Sequence, residues 1–179
     1  MCQFCVDILE QTLSASNVPY HLFSYQATGA YRGLFYHRTP SGELHVIERP
    51  KNVTMLEPGM VVVKLNGGLD FRDEIPTTFV TTRLDFWDLA ARIPYVLPAI
   101  VRKQLSSSRL LFLGHGLAAQ DVEALVRYTH LGRSTARSWA VALKNDHHEY
   151  WLQCGVEILQ YDVNEYVGEL GARLTERSL

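Results

Sequence analysis

Arg109-Leu-Leu-Phe-Leu-Gly-His-Gly116 decides the fold: an apolar strand over 109–113 runs into a glycine-flanked turn, and residues 118–128 continue with helical periodicity. Asp121 and Glu123 lie near the start of that helix, where its dipole favours acids, and Val122, Leu125 and Val126 form the stripe to be buried. Beyond it, 138–143 is a β-branched and aromatic strand, 144–149 a polar loop, and the residues around 149–154 a short helix. A last strand over 156–160 leads to a closing amphipathic helix over 163–174, with Tyr166, Val167 and Leu170 expected inward. Strands alternating with helices are joined by right-handed crossovers and lie parallel. The expected class is therefore α/β, with a Rossmann-like, mostly parallel sheet and helices on both faces.

Working back towards the N-terminus, Met60-Val-Val-Val-Lys-Leu65 is framed by Pro58-Gly59 and Asn66-Gly67-Gly68. A β-branched run between breakers predicts a parallel strand buried on both faces, at the centre of the sheet. Phe4, Ile8, Leu9 and Leu13 predict a helix over 4–16 with these residues as its inner face, and the alternation over 21–25 predicts a strand. Residues 26–57 carry little periodic signal. Within them the turn Thr39-Pro40-Ser41-Gly42 predicts a hairpin between 33–37 and 43–48, set in an irregular excursion. A short strand over 79–82 and two short helices joined by a proline kink at Pro94 and Pro98 complete the chain.

With 179 residues the chain is expected to form one domain, 1–179. Seventeen basic against nineteen acidic residues, with the basic ones scattered, give no electrostatic footprint for nucleic acid. No apolar run approaches the roughly 20 residues that span a bilayer, and no signal-peptide pattern opens the chain, so a cytosolic protein is expected. The three cysteines cannot form a disulfide framework. Cys2 and Cys5 form one Cys-x-x-Cys without a second pair. His147 and His148 are adjacent and face different ways, so no metal site is expected.

In an open parallel sheet, ligands bind beyond the carboxyl ends of the strands. Two loops qualify, Asn66-Gly67-Gly68 and Gly114-His115-Gly116, whose glycines let backbone approach a phosphate or a ribose. His115 is the imidazole best placed for proton transfer. Asp7, Asp85 and Asp162 sit near element ends, where helix capping and salt bridging are the simpler roles.

These segments together resemble the sirtuin-like domains of bacterial NAD-consuming proteins, a group linked to antiviral defence. Arg109-Leu-Leu-Phe-Leu-Gly-His-Gly-Leu117 with Asp121 is similar to the family's Leu-Leu-Phe-Leu-Gly-Tyr-Ser-Leu and following Asp. Lys64-Leu-Asn-Gly-Gly-Leu-Asp70 is similar to its Lys-Leu-His-Gly-Ser-Leu-Asp, and the stretch from Thr81 to Trp87 to a Thr-x-x-Asp-Tyr segment. Phe4-Cys-Val-Asp7 with Leu9-Glu10 and Val18-Pro-Tyr-His21 resembles Thr-Asn-Tyr-Asp, Leu-Glu and Pro-Tyr. Ser138-Trp-Ala-Val-Ala-Leu143, Tyr150-Trp151 and Gly155-Val-Glu-Ile158 resemble the family's last strands.

The resemblance implies an NAD or ADP-ribose site built from Asp7, Asn66, Gly67, Gly114, His115 and Gly116. It also marks departures, because the family's catalytic His stands at Asn66 and its catalytic Asn at Cys5. Neither an Asn nor a thiol reproduces the replaced group's hydrogen bonding and proton transfer. Gly116 lacks the hydroxyl of the family's Ser, and the usual first βα unit with its glycine-rich loop would precede residue 1. The chain then reads as a fragment of a longer protein or as a reduced relative. The expected function is a degenerate, nucleotide-binding, regulatory or oligomerising module that meets a second copy or a partner protein. The alternatives are an active NAD glycohydrolase of a defence system, with His115 as substitute, and an α/β interaction domain without a ligand.

Overall fold

Tyr20–Tyr25 forms strand β1, and every residue of it is buried. The alternation expected here does not appear in burial, because both faces of β1 are covered and both edges are paired. On one edge β1 pairs antiparallel with β2 (Phe35–Arg38), which pairs antiparallel with β3 (Leu44–Ile47). On the other it pairs parallel with β4 (Met60–Lys64), giving a mixed sheet in the order β3-β2-β1-β4.

The computed structural model describes residues 4–70, 72, 74–113, 138–143 and 148–176, and their side chains from residue 8 onward except those of 148, 150 and 175. The chain divides into two units, Cys2–Lys103 and Gln104–Leu179. It combines sheets and helices in a mixed α/β architecture, with one mixed and one parallel sheet.

In the first unit, β4 is parallel as expected but is not central: among the described residues it ends the sheet, and Val61 and Val63 are only half-buried. β1 takes the central place because the 33–48 hairpin pairs along its other edge, so the segment expected to be an irregular excursion supplies two strands of the sheet. Helix α1 (Phe4–Ala15) covers the face carrying Tyr20, Leu22 and Val62, which cluster with Leu13 and Ile75. Its inner face differs from the expected one, since Ile8 and Leu9 are exposed while Glu10 and Leu13 are buried. The opposite face carries His21, Phe23 and Tyr25 with Phe35 and His37.

Two-residue strands β5 (Gly67–Gly68) and β6 (Thr78–Phe79) pair antiparallel. Helix α2 (Arg83–Val96) starts on a capping box: the Thr82 hydroxyl accepts from the Asp85 amide at 3.1 Å, and the Asp85 carboxylate accepts from the Thr82 amide at 3.2 Å. It runs through Pro94 and buries Leu89 and Ile93. Pro98 then precedes α3 (Ala99–Ser107).

In the second unit, β7 (Leu111–Phe112), β8 (Ser138–Val141) and β9 (Val156–Leu159) form a parallel sheet in that order. Helix α4 (His148–Gln153) connects β8 to β9 and places Trp151 against Phe112, Ala140, Val156 and Ile158. Helix α5 (Val163–Glu176) closes the chain. Its start is capped by Asp162, whose carboxylate accepts from the amides of Asn164 and Glu165 at 2.8 and 3.2 Å. Val167 and Leu170, expected inward, are exposed, and Tyr166 is half-buried. Among the described residues no helix is long and apolar enough to cross a membrane.

Candidate functional site

Lys64 and Asp70, the two ends of the Lys64–Asp70 motif, join one buried ion network of the first unit, Lys64 through Glu10 and Asp70 through Arg38. Arg38 on β2 is their hub: its Nη1 donates to Asp70 at 2.6 Å and to Glu74 at 3.4 Å, and its Nη2 to Glu10 at 2.9 Å and to the Tyr20 hydroxyl at 3.3 Å. The Lys64 ammonium pairs with the other oxygen of Glu10 and donates to the carbonyl of Leu69. Glu10, Arg38, Lys64 and Asp70 are all buried. Two cations and two anions cancel in charge, as ions withdrawn from water must if their desolvation is to be offset.

Burial pushes the Glu10 carboxyl above its usual range, against the pull of Lys64 and Arg38. At Asp70 burial acts in the same direction but is outweighed: the amides of Glu74 and Ile75 donate to its second oxygen at 2.8 and 3.0 Å, and with Arg38 they hold it below the usual carboxylate range. The network thus fixes both ends of the 64–70 segment.

The middle of that segment is set against the carboxyl end of β1. A Cβ on Gly67 would lie 2.1 Å from the Thr78 carbonyl oxygen and 3.1 Å from that of Tyr25, at a φ of 71° that favours glycine. Gly67 is therefore required by the approach of the protein's own strands, whereas a ligand approach was the expected reason. Thr78 completes the junction, accepting from the Ala27 amide at 3.1 Å and donating to the Tyr25 carbonyl at 3.3 Å. Asn66 is half-buried, and its carbonyl accepts from Val80 at 2.9 Å.

Gln26 shares this edge. It is 2% exposed, yet its side-chain Nε2 has no hydrogen-bond partner, an unused donor at the end of a parallel strand. Nothing in the sequence marks it, because the stretch just after Tyr25 shows no period and a lone Gln carries no motif.

Of the expected site residues, the structure places Asn66 and Gly67 together at the carboxyl ends of β1 and β4. Gly114, His115 and Gly116, with the helix expected over 118–128, lie outside the described residues, as do the side chains of Cys5 and Asp7. Asp85 and Asp162 are helix caps, the roles their positions suggested. Among the described residues no group of three or more His, Cys, Asp or Glu side chains is arranged to hold a metal ion. Comparison with protein-family models, with curated proteins and with solved structures returns no match.

Proposed function

We propose that the chain is a sirtuin-like, Rossmann-related nucleotide-binding domain that has lost its catalytic side chains and acts as a regulatory or oligomerising module responsive to NAD or ADP-ribose. The position of Asn66-Gly67-Gly68 carries this reading: the loop lies beyond the carboxyl ends of the parallel pair β1 and β4, where ligands of such sheets bind. The unpartnered side-chain Nε2 of Gln26 fits a ligand rich in acceptor oxygens at the same edge.

When bound, NAD brings a nicotinamide–ribose bond that can be hydrolysed. Asn66 can donate to and accept from a ribose hydroxyl, but an amide has no basic nitrogen near neutral pH with which to take a proton. The loop therefore favours binding over turnover.

ADP-ribose at ten times its Kd is expected to stabilise the protein by about 1.4 kcal/mol, a rise in melting temperature of roughly 3 °C. Asn66→Ala should reduce that rise, and no nicotinamide should appear by chromatography after incubation with NAD. Robust release that His115→Ala abolishes would establish the glycohydrolase instead. No thermal response to either nucleotide would leave an interaction domain without a nucleotide.

A further inference from the structure

Ser14, Tyr20, Arg38, Thr39 and Arg72 line a cleft of about 280 Å³ at the opposite end of β1 from the Asn66 loop. We propose that this cleft binds a small organic anion presenting a phosphate or carboxylate group. Among the described residues its lining holds two guanidinium groups and no carboxylate. Its volume lies just below the range of about 300–1,000 Å³ typical of small-molecule sites, enough for an anionic group with a short organic body and too small for a dinucleotide.

Tyr20 supplies the directional element. Its hydroxyl oxygen accepts from the buried Arg38 guanidinium at 3.3 Å, so its own proton points away from Arg38. The hydroxyl's other hydrogen-bond partner is the Ser14 hydroxyl, 3.5 Å away and at the limit of a hydrogen bond. A ligand oxygen in the cleft receives that proton at a better distance. Arg38 is already neutralised by Glu10 and Asp70, so the attraction for an anion comes from Arg72. Arg38 itself acts through Tyr20, because both of its terminal nitrogens already donate to Glu10, Asp70, Glu74 and Tyr20. Arg72 adds a second guanidinium, positioned beside the β2–β3 turn, where a Cβ on Gly42 would come within 3.5 Å of its Nη1.

The end of α1 does not oppose an anion as strongly as a bare helix C-terminus would. The carbonyls of Thr12, Leu13 and Ser14 already accept from the amides of Ser16, Val18 and Asn17.

Calorimetric titration of the full chain with inorganic phosphate, glycerol 3-phosphate and succinate tests the assignment. Saturable binding at millimolar concentration or below is expected for at least one probe, and comparing the three tells phosphate from carboxylate as the recognised group. Arg72→Ala, at an exposed position, should weaken binding about tenfold, as should Tyr20→Phe, which keeps the ring but removes the donor to the ligand together with the acceptor for Arg38. An unchanged urea midpoint for Arg72→Ala separates lost binding from lost stability. Arg49→Ala, a surface arginine outside the cleft, should leave binding unchanged. Absence of saturable binding by all three probes overturns the proposal, and so does equal weakening by Arg72→Ala and Arg49→Ala, the mark of diffuse attraction.

Discussion

The first unit is organised around buried ions, the second around a buried indole. In the first, Glu10, Arg38, Lys64 and Asp70 tie α1 to β2, β4 and the 64–75 segment. In the second, Trp151 fills the space between α4 and the parallel strands, with Phe112, Ala140, Val156 and Ile158 around it. An apolar core tolerates loss of volume in proportion to the cavity left, whereas a balanced set of ions fails as a set when one member is lost. The second unit should therefore respond to substitution in a graded way, and the first abruptly.

Arg38→Met tests the difference most severely. It leaves two buried carboxylates without their common partner and should cost about 4 kcal/mol, read as a fall in urea midpoint and as loss of amide-exchange protection along β1. A cost below about 1 kcal/mol would mean that the network contributes nothing to stability. Trp151→Ala should cost about 3 kcal/mol, with exchange accelerating first along β8 and β9. If β1 lost protection equally, the two units would be responding as one.

Acid should weaken the first unit through one buried imidazole. His37, 7% exposed, stacks on Phe23 at 4.2 Å between ring centroids and hydrogen-bonds His21 at 3.0 Å. Burial, with His21 and His45 adding to it, lowers its pKa to about 4 from the ordinary 6.5. Between those values the unfolded chain binds a proton that the native protein refuses, so stability is complete above pH 6.5 and falls on acidification towards pH 4. The loss approaches about 1.4 kcal/mol per pH unit. His37→Gln should flatten this dependence in a urea–pH series, and an unchanged slope would assign it to other groups. Smallest of all, Thr82→Ala removes one half of the capping box on α2 and should cost about 1 kcal/mol, measurable as a lower thermal midpoint.

What the sequence made legible follows the same division. Local chemistry was readable: the Thr39-Pro40-Ser41-Gly42 turn joins the strands it was expected to join, Asp85 and Asp162 cap helices, and the breakers around Val61-Val-Val63 mark a parallel strand. The centre of the sheet was not, because the hairpin is readable as a unit but nothing local in it shows that it pairs along the edge of β1. Nor was the inner face of α1. Ile8 and Leu9 look as though they belong inside, but Glu10 is turned inward by Arg38 and Lys64, cations delivered by strands far along the chain. Periodicity sees apolar stripes and is blind to charge that is cancelled at long range. At the candidate site the loop at Asn66 was visible as a breaker after a strand, whereas Gln26 becomes noticeable only when its burial and unused donor are known.

The clamp on the 64–70 segment also bears on mutational drift. Lys64, Gly67 and Asp70 are each held by the fold itself, through an ion pair to Glu10, a backbone approach that leaves no room for a side chain, and an ion pair to Arg38. Substitution at any of the three is opposed by folding itself, whatever the protein does. Their identities answer first to the fold, through two ion pairs and one close backbone approach.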